Sequence, residues 1–174
     1  MVGFSTWCRT EESNVGSHKL SVLTADVQQL SSAADAVAAV IPGHYAADEH
    51  IARNLDRLGE NAAAQFVRDK LPLSKRGRSG DLGEVLATEF IAERLSYTVP
   101  IKRLRWKDHR ELPMRGTDVI GIRQNGASGR LEFLKTEAKS RVLLNASVVS
   151  EARDGLKRDN GMPSPTCRAS RWGR

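Results

Sequence analysis

The hydrophobic pattern of the first half of the chain has a helical period. From residue 20 to residue 41, apolar side chains recur at steps of three or four, which predicts an amphipathic helix that ends at Pro42. A second stripe with the same period predicts a helix over residues 48–70, with Pro72 beyond its end. The first 18 residues show no period, and we expect them to form a loose arm.

The pattern changes in the second half. A helix is predicted from Ser79 or Asp81, either of which can cap it, to about residue 95. Segments rich in β-forming residues then predict three strands, over residues 98–106, 117–124 and 131–139. The sequence Asn-Gly-Ala-Ser-Gly at residues 125–129 predicts a hairpin between the last two strands, and a final helix is predicted over residues 147–157. This order predicts an α/β (α+β) fold with a mixed sheet.

Composition divides the chain into three parts. Residues 1–74 are a mildly acidic helical region, residues 75–158 are the core that contains the strands, and residues 159–174 are a tail with neither period. The boundary is predicted in residues 74–80, which contain three basic residues and two glycines. With 174 residues, the chain has room for one domain of ordinary size and an appended helical segment.

Basic charge is concentrated in the second half. Residues 1–74 contain six basic and nine acidic side chains, whereas residues 75–141 contain fifteen and nine. Such a cluster suits a polyanion, because binding phosphates releases condensed counterions; a solvated basic surface that promotes solubility is the alternative. The candidate DNA-binding residues are Lys75, Arg76, Arg78, Lys102, Arg103, Arg105, Lys107, Arg110 and Arg115. Trp106, among them, is a candidate for stacking on an unpaired base or for covering the edge of the core.

Other features exclude several classes of protein. No apolar stretch approaches the roughly 20 residues that span a bilayer, and the N-terminus lacks the pattern of a signal peptide. Cys8 and Cys167 lie at opposite ends without a partner spacing, as in proteins of a reducing compartment, so we expect a cytoplasmic protein. The four histidines share no metal spacing, and no P-loop motif for ATP is present.

The predicted hairpin places two acids together. With the turn centred on Ala127, Asp118 faces Thr136 or, with one residue of bulge, Glu137. Side chains opposite each other have Cβ atoms about 4.5–5.5 Å apart, where two carboxylates repel unless a cation lies between them. Because both are oxygen ligands without a His or Cys beside them, they indicate Mg²⁺ or Mn²⁺ rather than zinc. Apolar residues on the same strand faces, Phe133 among them, place this pair at the rim of a core.

Lys139 and Glu84 are candidates for the rest of the site. Lys139 follows Glu137 by two residues and projects from the same face, where an ammonium group can hold a water and stabilise negative charge on a phosphoryl oxygen. Glu84 shares a helix row with Ile91, so it can supply a further metal oxygen. The alternatives are a surface salt bridge of Glu137 with Lys135 or Lys139, and an exposed first-turn glutamate at position 84.

Three segments of this half resemble the PD-(D/E)XK nuclease superfamily. They are the helix with Glu84, Gly-Thr-Asp-Val-Ile-Gly at residues 116–121, and Glu-Ala-Lys at residues 137–139. Thr117 stands where the superfamily motif has proline. Within this superfamily, residues 79–141 resemble the HamA family, the nuclease subunits of Hachiman anti-phage defence. The helix contributes to this resemblance with the sequence Ser-Gly-Asp-Leu-Gly-Glu-Val-Leu-Ala-Thr-Glu-Phe.

This resemblance implies a restriction-endonuclease-like αβββα core and a Mg²⁺-dependent deoxyribonuclease. Asp118, Glu137 and Glu84 would be the metal ligands, and these acids and Lys139 would be the catalytic residues. The resemblance also implies DNA as the substrate and a superfamily 2 helicase subunit, HamB-like, as the partner that restrains the nuclease. The family core continues past its second helix, whereas this sequence has no pattern beyond about Asp159, so we expect a shortened or altered C-terminal part.

Two other functions fit the same residues. The basic sheet can hold DNA or a partner protein without cleaving it, and its binding would then be equal with Mg²⁺ and with a chelator. A restriction or recombination nuclease outside Hachiman would prefer a defined DNA site or junction.

Overall fold

The structure is a computed structural model that describes residues 1–107, 109–112 and 116–163. It divides into two compact units, Met1–Pro42 and Gly43–Arg174. Among the described residues, no helix combines the length and the apolar character that a membrane crossing needs. Helices and small antiparallel sheets make up both units, which confirms the α+β class.

The first unit contains a β-hairpin where none was predicted. α1 (Phe4–Trp7) is followed by β1 (Cys8–Val15) and β2 (His18–Ala25), which pair antiparallel along their whole length. The prediction of a loose arm and of a helix from residue 20 is therefore wrong. Gly16 adopts a positive φ of 62°, which glycine accepts without strain, and with Ser17 it forms the two-residue turn.

The helices that follow differ from the prediction at a proline and at a glycine. α2 (Leu30–Tyr45) continues through Pro42 instead of ending there. The predicted helix over residues 48–70 is two helices, α3 (Asp48–Leu58) and α4 (Glu60–Arg68). Gly59 separates them with φ 83° and ψ 173°, a conformation that interrupts the helical hydrogen bonds.

α5 (Lys75–Arg94) carries the buried polar residues of the second unit. The Ser74 side chain caps it by accepting a hydrogen bond from Gly77 N at 3.0 Å, so the helix begins before the predicted starts at Ser79 and Asp81. The predicted connector over residues 74–80 therefore supplies the N-cap and the first turns of α5. The buried side chains of the helix are Asp81, Glu84, Val85, Thr88 and Ile91.

The strand predicted over residues 98–106 is not formed. Thr98 makes an isolated antiparallel bridge with Ile122, and Arg103–Trp106 form a 3₁₀ helix. Arg103 and Arg105 would share one face in a strand, whereas in the 3₁₀ helix they reach separate hydrogen-bond acceptors.

The second hairpin forms as predicted. β3 (Val119–Gln124) and β4 (Leu131–Thr136) pair antiparallel, as do all described strands, so no mixed sheet is present among the described residues. In the turn, Asn125 Oδ1 accepts hydrogen bonds from the two backbone amides at positions 127 and 128, each at 3.0 Å. α6 (Ala146–Lys157) follows, with Asn145 as its cap, and confirms the last predicted helix.

The buried face of this hairpin is the opposite of the predicted one. Val119 is buried, whereas Phe133 is 60% exposed. A Cβ added at Gly121 would lie 2.9 Å from Tyr97 Cβ and 3.2 Å from Ile91 Cγ2, so glycine allows β3 to approach α5 closely. The core is therefore on the side of Val119 and Gly121.

Candidate active site

The register of the second hairpin brings Asp118 next to Glu137. The last pair of the ladder is Val119 opposite Thr136, so the residues just beyond it on the two strands are Asp118 and Glu137. Asp118 Oδ2 accepts a hydrogen bond from Ala138 N at 2.9 Å, which continues the contact between the two segments past the ladder. Of the two predicted partners of Asp118, the structure places Glu137 in this position.

Glu137 and Lys139 form an ion pair that is largely shielded from solvent. Lys139 Nζ donates to Glu137 Oε1 at 2.5 Å, and the Glu137 side chain is 8% exposed. A Cβ added at Gly155 of α6 would lie 2.6 Å from Glu137 Oε1, so the glycine leaves room for the carboxylate. Lys135, the other predicted partner, donates to Arg158 O instead. The pair is therefore not an ordinary surface salt bridge.

Glu84 is one of the buried residues of α5. Its residue is 8% exposed, and it lies more than two turns after the first residue of the helix, Lys75. The alternative of an exposed first-turn glutamate is therefore wrong. The predicted position on the inward-facing row with Ile91 agrees with the structure, which buries both residues.

Arg103 joins Glu84 to Asp118. Its Nη2 donates to Glu84 Oε2 at 2.9 Å and to Asp118 Oδ1 at 3.0 Å, and its Nη1 donates to Gly116 O at 3.0 Å and Thr117 O at 3.1 Å. Its Nε is buried without a hydrogen-bond partner in the described part of the chain. We call Glu84, Arg103 and Asp118 the Arg103 cluster. The prediction that Arg103 lies on a DNA-binding surface is wrong, because its guanidinium is buried and donates within the protein.

The Arg103 cluster sets two carboxyl groups against one guanidinium. Burial raises the pKa of Glu84 to about 7, although the charge and the hydrogen bond of Arg103 oppose this shift. Burial also raises the pKa of Asp118; the Ala138 amide and Arg103 oppose the rise, and the charge of Glu137 adds to it. One guanidinium therefore does not fully compensate the buried carboxylates.

The comparison with known families covers nearly the whole chain. The sequence model of the HamA family matches residues 3–170. The chain belongs to the HamA family. This membership associates it with Hachiman antiviral defence, and the match extends well beyond the resemblance found at residues 79–141. No curated protein matches the chain.

In this HamA family member, the acids suit a hard divalent cation by their chemistry. Glu84, Asp118 and Glu137 offer only oxygen donors, which Mg²⁺ and Mn²⁺ prefer, and a cation would relieve the excess of negative charge. Within residues 1–107, 109–112 and 116–163, no group of three His, Cys, Asp or Glu side chains is arranged to hold an ion. The guanidinium of Arg103 bridges two of the acids instead.

A second buried cluster lies on the same helix of the HamA fold. Lys107 Nζ donates to Asp81 Oδ2 at 2.8 Å and to Oδ1 at 3.0 Å, and Tyr45 OH donates to Asp81 Oδ2 at 2.6 Å. Burial and the hydrogen bond to Asp81 raise the pKa of the Tyr45 hydroxyl. We call Tyr45, Asp81 and Lys107 the Lys107 cluster. The structure does not place Lys107 on an exposed basic surface, because its side chain is only 5% exposed.

The other predicted DNA-binding residues divide into two groups. Three half-buried ones have partners within the protein: Lys102 lies 3.7 Å from Glu89, Arg105 donates to Gly43 O, and Arg110 donates to Leu71 O. Those in the first turn of α5 are exposed: Lys75, Arg76 and Arg78. Arg115 lies outside the described residues.

A cavity of about 680 Å³ opens at the start of α5. Its wall includes Ser140, which directly follows Lys139, and Ser79, whose hydroxyl lies 2.7 Å from that of Ser140. Arg76 and Arg141 contribute positive charge to the same wall, and Asp81 and Glu111 contribute negative charge. The cavity therefore lies between the segment that follows Lys139 and the exposed basic residues of α5.

Proposed function

We propose that the chain is a Mg²⁺-dependent DNA endonuclease and the effector of a Hachiman anti-phage defence system. The observation that carries this proposal is the meeting of Asp118 and Glu137 at the open end of the β3–β4 hairpin. Lys139 is bound to Glu137, and Glu84 is linked to Asp118 through Arg103. Membership of the HamA family supports the same function.

The side chains would divide the work of phosphodiester hydrolysis. Glu84, Asp118 and Glu137 would hold the cation, which supplies charge neutralisation at the phosphate. The Lys139 side chain remains partly exposed, so its ammonium group can hold the attacking water and stabilise negative charge on a phosphoryl oxygen. The water attacks phosphorus in line with the leaving oxygen.

The surface at the start of α5 suits the DNA backbone. Lys75, Arg76 and Arg78 are exposed, and Arg76 lines the cavity together with Arg141. Their charges can neutralise phosphates on either side of the scissile bond. Trp106 is 68% exposed, which makes its ring available for stacking on an unpaired base.

The partner belongs to the same proposal. Membership of the HamA family supports a role within a defence system of several subunits. We propose that a superfamily 2 helicase subunit restrains this nuclease and releases it when the helicase engages invading DNA.

Plasmid cleavage tests the assignment. The wild-type protein should cut plasmid with Mg²⁺ and not in a chelator, and replacing Glu137 and Lys139 by Ala should abolish cutting. The matched control is Glu132→Ala with Lys135→Ala, which removes the same two charges from β4, where Glu132 pairs with Arg123. Cleavage by the Glu137/Lys139 variant at the rate of the control would defeat the proposal.

A non-catalytic module that binds DNA or a partner protein has one observation in its favour. Glu84 and Asp118 are paired with Arg103 rather than arranged around an ion. Such a module would bind DNA equally with Mg²⁺ and with a chelator and would cut it in neither. A gel-shift assay run beside the cleavage assay separates the two functions.

A further inference from the structure

We propose that Arg103 is a built-in counter-ion, which occupies the cation position between Glu84 and Asp118 and which a divalent cation must displace in order to bind. The proposal rests on the proposed function, since it concerns the metal of that same site. It makes Arg103 a positioning residue that holds the two acids together when no metal is bound.

The contacts of Arg103 resemble those of a bound cation. One nitrogen, Nη2, lies 2.9 Å from Glu84 Oε2 and 3.0 Å from Asp118 Oδ1, so a single positive group serves two carboxylates from different elements. The Arg103 side chain is 8% exposed, so water contributes little to the solvation of this contact. Without Arg103, the buried Glu84 and the half-buried Asp118 would repel each other.

A divalent cation held by Glu84 and Asp118 would lie next to the guanidinium of Arg103, which contacts one oxygen of each acid. Mg²⁺ binds oxygen at about 2.0–2.1 Å, well inside the distance at which Arg103 Nη2 lies from these oxygens. Two positive groups on one pair of carboxylates repel each other in a site of low dielectric. The other oxygen of Asp118 already accepts a hydrogen bond from the Ala138 amide, whereas Oδ1 is the oxygen that Arg103 contacts.

Arg103 has a second anchor that can retain it after displacement. Nη1 donates to Gly116 O and Thr117 O, both of which precede Asp118 in the chain. The third nitrogen, Nε, has no hydrogen-bond partner among the described residues. Once Nη2 releases the carboxylates, only the contacts of Nη1, of those described, hold the guanidinium in place. The side chain can therefore release the carboxylates without leaving its pocket.

Mn²⁺ binding, measured by calorimetry and by electron paramagnetic resonance, tests this competition. Arg103→Gln should bind Mn²⁺ about tenfold more tightly than the wild type, a difference of about 1.4 kcal/mol. Arg105→Gln is the matched control, because it removes the same charge from the same 3₁₀ helix while its partner is the carbonyl of Gly43. The control should stay within about twofold of the wild type, as for a charge outside the site.

The outcomes separate this inference from the proposed function. If the wild type binds Mn²⁺ and Arg103→Gln binds it equally or more weakly, Arg103 is not a competitor and the inference is overturned. If wild type, Arg103→Gln and Arg105→Gln all fail to bind Mn²⁺, the proposed function fails and the inference fails with it.

A measurement on the wild-type protein covers the case in which Arg103→Gln does not fold. The Nε–Hε signal of Arg103 in a ¹⁵N spectrum, assigned by its loss in Arg103→Lys, should shift during a Mg²⁺ titration and saturate together with the Ala138 amide. The Ala138 amide reports on the site because it donates to Asp118. A shift of the Ala138 signal without a shift of the Arg103 signal would overturn the inference.

Discussion

Two clusters on one face of α5 each pair acidic with basic side chains, and they differ in the ratio of acidic to basic groups. The Lys107 cluster sets one ammonium group against one carboxylate, Asp81, with a hydroxyl as an additional donor. The Arg103 cluster sets one guanidinium against two carboxylates. Asp81 and Glu84 are each 8% exposed, so burial does not distinguish these two acids of α5.

The contrast separates a structural cluster from a candidate functional one. Both oxygens of Asp81 accept hydrogen bonds within 3.0 Å, so its charge is compensated inside the fold. Glu84 retains a pKa raised to about 7 despite its contact with Arg103, which means that its charged form is destabilised. Uncompensated acids of this kind concentrate at sites that bind cations or carry out chemistry.

The largest expected effect on stability comes from breaking the Lys107 cluster. Lys107→Met leaves Asp81 buried with its hydroxyl donor alone, which should lower the free energy of unfolding by about 3–5 kcal/mol in urea denaturation. Lys107→Met combined with Asp81→Asn should recover much of this loss, because no buried charge is then unpaired. In the Arg103 cluster, Glu84→Gln should change the free energy of unfolding by less than about 1 kcal/mol, because Arg103 keeps Asp118 as a partner. An equal loss in Lys107→Met and Glu84→Gln would remove the distinction between the clusters.

A smaller effect is expected from Gly155→Ala, which disturbs Glu137 without removing a charge. The new Cβ would lie 2.6 Å from Glu137 Oε1, and overpacking of this kind costs about 1–3 kcal/mol. Plasmid cleavage should fall with the displacement of the carboxylate. Gly80→Ala in α5 is the control, because no described residue beyond its chain neighbours and its own helix backbone lies within 4 Å of its new Cβ. It should gain about 0.5–1 kcal/mol from helix propensity; the same sign of change at both glycines would contradict the expectation.

The smallest effect concerns a third acid on α5, Glu89, whose Oε1 lies 2.8 Å from Nε2 of the buried His44. Burial lowers the pKa of His44 below its usual 6.5, Lys102 and Arg105 act in the same direction, and Glu89 opposes them. The unfolded chain therefore takes up the proton first as the pH falls, and stability declines below about pH 6.5 by at most about 1.4 kcal/mol per pH unit. His44→Asn should flatten this slope in urea denaturation between about pH 6.5 and 5. An unchanged pH dependence of stability in His44→Asn would mean that groups other than His44 cause it.

The features that the sequence predicted correctly depend on short stretches of chain. The turn at residues 125–129 and the helix that became α6 are encoded by local residue preferences. The same turn left Thr136 or Glu137 as the partner of Asp118, and the observed register, in which Val119 pairs with Thr136, selects Glu137.

The features that it missed depend on contacts between distant segments. Arg103 meets Glu84 across 19 positions, and a run of basic residues gives no sign of which one is buried. Gly155 acquires its role only because α6 packs over Glu137. In β2, Leu20 and Leu23 satisfy the spacing of a helix, and the pairing with β1 overrides that local pattern.

The position of Asp118 and Glu137 beyond the ladder affects the temperature range over which the candidate site stays assembled. A two-stranded ladder frays from the end opposite its turn, and Asp118 and Glu137 lie at that end. A brief local opening there would part the acids while β3 and β4 stay paired near the turn. The proposed hydrolysis would then be lost reversibly at temperatures where most of the fold is intact.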